Sequence, residues 1–279
     1  MNEELVGYLK LVRPSPVAAN AVQVLMGAYL GGGGAALMHR SVVAAATSMA
    51  LVTTVANVVN DVCDVRADRL NRPERPLVTG VVSPRAASWF ASGAAAGAVA
   101  LAPSGTARGL IVAIMVLSVG YSFGVKRLPL VANGYVAVLA GTPVVLGAVV
   151  AGGELRSAAV AAVVLIVFMF SYEVLKTLRD IEGDRHAGFS TVATEWGARV
   201  TTRIYRLTVG VFAIVAALPL VVTPAGLSYL LLVVGGAVLP SVAIAARMDS
   251  TPTPPTIRRA LHILVICWLP GLLGLEDLR

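Results

Sequence analysis

Acidic residues are scarce in this chain, and they cluster. Nine of its fifteen Asp and Glu residues lie in two stretches. NVVNDVCDVRADRLNRPERPLVTG (57–80) holds Asp61, Asp64, Asp68 and Glu74, and YEVLKTLRDIEGDRHAGFSTVATEWG (172–197) holds Glu173, Asp180, Glu182, Asp184 and Glu195. On a helix turning about 100° per residue, Asn57, Asn60, Asp61, Asp64 and Asp68 fall within one arc of about 100°. Glu173, Lys176, Asp180 and Asp184 share a second arc of about 80°, and Glu182 points the other way, solvated or paired with Arg179 or Arg185. The plainer reading of the first stretch is a helix end in water whose acids pair with Arg66 or Arg69. Against it stand Asn57 and Asn60, two carboxamides on the same stripe where the segment is still apolar.

So many carboxylates at a membrane boundary repel one another unless something positive sits between them. Mg2+ is the natural candidate, because it takes carboxylate and water oxygens and completes its shell with substrate phosphates. Two Asp-rich helix ends facing each other would bind Mg2+ bridged to a diphosphate. Arg72, Arg75, Lys126, Arg127, Lys176 and Arg179, all expected on the same side of the membrane as these ends, could neutralise the remaining phosphate oxygens. For Arg75, Arg127 and Arg185 the topological charge bias or anionic lipid head groups suffice as an explanation.

The elements that must position these residues follow from composition. The chain has 279 residues, is 57% hydrophobic and only 13% charged, and its mean hydropathy is +0.82. Runs of about 20 apolar residues, enough to span a hydrocarbon core of about 30 Å, recur along nearly its whole length. They predict nine spans at 15–36, 41–60, 85–103, 108–125, 131–152, 156–176, 205–223, 226–246 and 260–275, the last two interrupted by Pro240 and Pro270. Continuous runs of Ala, Val and Leu exclude a transmembrane barrel, which needs short alternating strands. The expectation is an all-α membrane protein, one polytopic domain over 1–279, whose polar N-terminus lacks the pattern of a removable signal peptide. Small-residue runs at 31–34 and 92–98 permit close helix approach, and Cys63 and Cys267 read as small apolar fillers rather than a disulfide or metal motif.

A formal charge of +7 and a pI near 9.8 do not point to nucleic acid. With nine spans, only Arg40, Arg108, Arg156 and Arg279 of the 22 Lys and Arg fall on the side away from the N-terminus. The positive-inside rule then sets the N-terminus and both acidic clusters at the cytoplasmic face of the cell membrane.

With these residues in view, the chain resembles the UbiA-type intramembrane prenyltransferases. That family's first motif is Asn, Asp, two residues, Asp, three residues, Asp, here Asn60, Asp61, Asp64 and Asp68, continuing as DRLNRPERPLVTG. Its second motif is matched by DIEGDRHAGFSTVATEWG, and Arg13-Pro14 and Tyr121-Ser122 ahead of Lys126 are also similar to the family. The resemblance implies about nine helices around a central cavity. It implies that Asn60, Asp61, Asp64, Asp68, Asp180 and Asp184 bind Mg2+, with Asp64, Asp68, Asp180 and Asp184 essential to catalysis. Arg13, Asn57, Arg72, Tyr121, Lys126, Glu173 and Lys176 are the expected contacts of an isoprenyl diphosphate, whose tail lies against lipid in an apolar channel.

The sequence departs from the family's common pattern at Val62-Cys63, at SFGVKRLP after Tyr121, and at Thr177. These positions bear on the acceptor, a small molecule such as a quinone precursor, another aromatic, or a glycerol phosphate ether. They leave open a cyclase that needs no acceptor. A cation-dependent transporter is the alternative from another class, although transporters usually hold their acids near the midplane on broken helices.

Overall fold

The computed structural model describes residues 2–223 and 225–279. Helices account for the regular structure of the described residues. Each predicted span falls on a long helical segment: α2 (Pro14–Gly32), α3 (Arg40–Asn71), α5 (Pro84–Leu101), α6 (Thr106–Phe123), α7 (Val131–Ala151), α8 (Arg156–Ala187), α9 (Val192–Ala217), the segment ending in α12 (Leu239–Arg247), and α13 (Pro254–Leu273). Seven of these segments are long and apolar enough to cross a membrane. Shorter helices are α1 (Glu3–Val12), α4 (Pro76–Thr79), α10 (Pro219–Val222) and α11 (Leu227–Tyr229). The sequence signals left α1 as a merely polar start, yet it is helical and buries Leu11 with Tyr8 against Val58, Leu77 and Phe90.

Length explains where the acids stand. α3 and α8 each have 32 residues, about 48 Å at 1.5 Å per residue against a hydrocarbon core of about 30 Å. The surplus lies at their C-terminal ends, so the helices run on past the predicted span ends at 60 and 176. The acidic stripes therefore sit on unbroken helix.

α2 packs against α7 and α3, α7 against α8, α8 against α9, and α3 against α5, α6 and α8. The α2–α7 crossing is a backbone-to-backbone contact. A Cβ on Gly27 would lie 1.8 Å from the Val144 carbonyl oxygen, and one on Gly147 1.9 Å from that of Val24. The glycine run at 31–34 is less uniform in its use. A Cβ on Gly31 would meet Ala148 at 3.1 Å, whereas one on Gly34 would meet open space. Pro240 does not interrupt its span, because Leu230–Val238 runs as π-helix immediately before it, and a widened turn accommodates a missing backbone donor.

Candidate active site

The acidic helix ends border a cavity of about 1020 Å3. Its mouth carries Asn60 and Asp64 from α3, Asp180 and Asp184 from α8, Arg72 and Arg75 from the turn after α3, and Lys126 from the turn between α6 and α7. Deeper, the wall is mainly apolar, with Val52, Ile114, Val136, Leu139, Phe168 and Leu264, and carries the uncharged polar side chains of Asn20, Gln23, Thr53 and Ser118. Val265, Ile266 and Leu269 of α13 line the cavity and are exposed.

Each aspartate of the two motifs except Asp184 has a basic partner among the described residues. Asp61 pairs with Arg13 and, at 2.8 Å, with Arg75. Asp68 pairs with Arg75 and, at 3.3 Å, with Arg72. Asp64 pairs with Lys126. Asp180 accepts from Arg72 at 3.0 Å and from the Nε and Nη2 of one guanidinium edge of Arg179 at 2.8 and 2.9 Å. Arg72 thus joins the two acidic motifs directly. Two planar five-donor forks suit this better than ammonium groups would.

The bases are presented by unusual backbone. Arg13 separates α1 from α2 with φ 54°, the left-handed region, and Pro14 opens α2 at a position where its missing N–H is harmless. A non-glycine residue is held there at a cost. The reward is a guanidinium directed at Asp61, while Asn57 fixes the same junction by donating to the Val12 carbonyl at 2.9 Å. Burial lowers the Arg13 guanidinium from its ordinary value, and Asp61 opposes that shift. Lys126 stands 4.4 Å from the centre of the Phe189 ring. Burial pulls its ammonium down to about 8, against the attraction of Asp184.

The remaining predicted residues distribute as follows. Tyr121, Glu173 and Lys176 line the cavity, and Lys176 pairs with Glu173 at 2.5 Å. Asp61 and Asp68, each 2% exposed, lie behind the wall, where their arginines engage them. Arg75, assigned above to charge bias or lipid, instead bridges those two acids and reaches the wall. Cys63 is off the wall, so that departure from the family pattern does not face the cavity; Thr177 and Ser122 do. Glu182 is exposed, as the wheel implied.

Spacing alone missed the side chain that ties the motifs together. Asn71 donates from Nδ2 to the Asp180 carbonyl at 3.1 Å and accepts from the Gly183 N–H at 3.1 Å. Both residues stand inside the conspicuous strings NRPERP and DIEGD, which was the available signal. Among the described residues, no three acidic, His or Cys side chains converge closely enough to hold a metal unaided.

The model of the UbiA prenyltransferase family matches residues 20–266. The chain belongs to that family. The carrier alternative falls with this match, and the UbiA bundle is seen again in solved structures. A structure concerned with the biosynthesis of digeranylgeranylglyceryl phosphate synthase in membranes superposes with a TM-score of 0.74 at 21% identity, covering 98% of each chain. A UbiA homologue from Archaeoglobus fulgidus, bound to GPP and Mg2+, superposes with a TM-score of 0.71 at 17% identity, covering 96% of this chain and 99% of that one. In sequence, the digeranylgeranylglyceryl phosphate synthase of Methanopyrus kandleri is 32% identical over 274 residues, 95% of this chain and 99% of the relative. That of Halobacterium salinarum is 32% identical over 248 residues, 88% and 89% of the two chains. This UbiA member is therefore an integral membrane prenyltransferase.

Proposed function

We propose that the protein transfers an isoprenyl group from an allylic isoprenyl diphosphate to a hydroxyl-bearing acceptor of the glyceryl phosphate class, with Mg2+ as cofactor and release of diphosphate. The observation that carries this reading is the polarity gradient of one cavity, charged at the mouth and mainly apolar beyond it. At about 30 Å3 per water-sized group, it has room for roughly thirty such groups, enough for a diphosphate and a long chain together. The acceptor class rests on the names of the relatives, whose product is a glyceryl phosphate bearing two geranylgeranyl groups.

The donor set suits Mg2+. Asn60 and Asp64 face Asp180 and Asp184 across the mouth, and Mg2+ commonly takes one or two carboxylates, with water and substrate phosphate supplying the rest. When bound, the metal would neutralise charge developing on the leaving diphosphate. Asp61 and Asp68 serve the same end indirectly, by fixing Arg13, Arg72 and Arg75 where phosphate oxygens would lie. Lys126 and Lys176 complete the set of bases. The apolar wall keeps bulk water from the allylic carbon as it becomes cationic. Through the exposed lining of α13, the donor tail and a lipid acceptor would enter from the bilayer. The whole chain acts as one polytopic domain, and the excess of Lys and Arg at the C-terminal ends of α3 and α8, against the single arginines Arg40 and Arg156 at their starts, supports a cytoplasmic mouth.

The test uses purified protein in detergent with Mg2+ and allylic diphosphates of ten, fifteen and twenty carbons, analysed by mass spectrometry. Slow hydrolysis alone, accelerated by a prenylated glyceryl phosphate with a free hydroxyl, is the expected result. Efficient cyclic terpene formation without acceptor would replace transfer by cyclisation. Prenylation confined to aromatic acceptors would overturn the acceptor class.

A further inference from the structure

Glu173 is a carboxylate in a place where a metal ligand is not needed. It lies on the same face of α8 as Asp180 and two turns deeper, about 10 Å along the axis, where the cavity turns mainly apolar. It is 4% exposed yet lines the cavity. Its Oε1 accepts from Lys176 at 2.5 Å, and no hydrogen bond within the described residues engages its other oxygen. Asn133 of α7 donates to the Glu173 backbone carbonyl at 3.0 Å and fixes this turn of α8 against its neighbour. Tyr121, Tyr172 and Thr177 complete the surrounding wall.

We infer that Glu173 is the general base that takes the acceptor's proton. The inference rests on the transfer reaction proposed above. A donor held by its diphosphate at the mouth presents its reacting carbon to the cavity beyond the acids, and an acceptor hydroxyl must approach from that deeper side. As the acceptor oxygen bonds to the allylic carbon, the carbon–oxygen bond to diphosphate breaks, diphosphate leaves with the electron pair, and the hydroxyl proton passes to Glu173. Lys176, ion-paired with Oε1, lies beside the carboxylate. An aliphatic hydroxyl, about as weakly acidic as water, needs such a base far more than a phenol does, with a pKa of about 10.

The test compares E173Q with the unsubstituted protein on two acceptors, an aliphatic glyceryl phosphate alcohol and a phenol of similar size. A positioned base contributes about a hundredfold or more. E173Q should lose about that factor in kcat with the alcohol and much less with the phenol, while the KM for the allylic diphosphate stays within about threefold. Equal losses with both acceptors, or a loss confined to donor KM, would overturn the inference and leave Glu173 as a counterion for Lys176. If E173Q fails to bind donor, E173D decides the matter, since it keeps the charge but withdraws it by one methylene. Retained donor affinity with the same alcohol-selective loss supports the base, and full activity refutes it. Absence of turnover with every acceptor in the unsubstituted protein would instead count against the transfer reaction itself.

Discussion

The carboxamide of Asn71 reaches from the end of α3 into the backbone of α8, and Gly183 makes the room for it. A Cβ on Gly183 would stand 2.3 Å from Asn71 Nδ2 and 2.5 Å from Oδ1. The two acidic motifs are thus set against each other by a residue with no charge and another with no side chain.

G183A should therefore impair catalysis without touching substrate. The methyl group displaces Asn71, freeing the α3 end from α8 and loosening the Arg72–Asp180 pair. The expected result is at least a tenfold loss in turnover, with N71A giving a similar loss and the double variant little more than either alone. Independent, additive losses in kinetic assays would show that the two residues do not act as one unit.

For the acids, D64A, D180A and D184A should each abolish turnover, and excess EDTA should do so reversibly. D68A should be comparably inactive, through the release of Arg72 and Arg75. E182A should retain most activity, since Glu182 faces outward. Full activity of D180A and D184A, or undiminished turnover in EDTA, would remove Mg2+ from the site.

Neutralising Arg13, Arg72, Arg75, Lys126 or Lys176 should raise the apparent KM for allylic diphosphate about tenfold or more, because a charge-assisted hydrogen bond is worth about 1.5–3 kcal/mol. Arg40, Arg108 and Arg156 at the far helix ends serve as controls and should show no change. Equal effects in both sets would mean that the charge distribution serves topology alone.

The α2–α7 crossing makes a prediction about stability rather than chemistry. G27A and G147A each force a methyl group into a carbonyl oxygen, and overpacking of this kind costs about 1–3 kcal/mol or more. Thermal unfolding in detergent should shift down for both. G93A, whose added methyl would meet nothing within contact, should leave it unchanged or raise it slightly, since Ala favours helix over Gly.

Much of this architecture was legible because the bilayer restricts the possibilities. Apolar run length located the helices, and the acids on a 100° wheel located one face of α3 and one of α8. What could not be read was which acids face the cavity. Asp61 and Asp64 differ by less than a turn, yet one is sealed behind two arginines and the other lines the mouth. That division is decided by Arg13 and Arg75, which come from separate segments whose approach no local pattern encodes. Arg75 was undervalued for the same reason, since a base at a helix end fits the charge-bias rule equally well. Gly27 and Gly147 were hidden among many small residues, and only the crossing point singles them out from Gly93.

The ion pairs that occupy the mouth also bear on how the chain is made. Because Arg13, Arg72, Arg75, Lys126, Lys176 and Arg179 pair with Asp61, Asp64, Asp68, Glu173 and Asp180, the helix ends can come together during membrane insertion without any divalent ion to screen them. Assembly is uncoupled from cation supply. A polypeptide synthesised under magnesium scarcity should accumulate fully folded and recover on simple replenishment, in contrast to zinc fingers, which unravel when stripped.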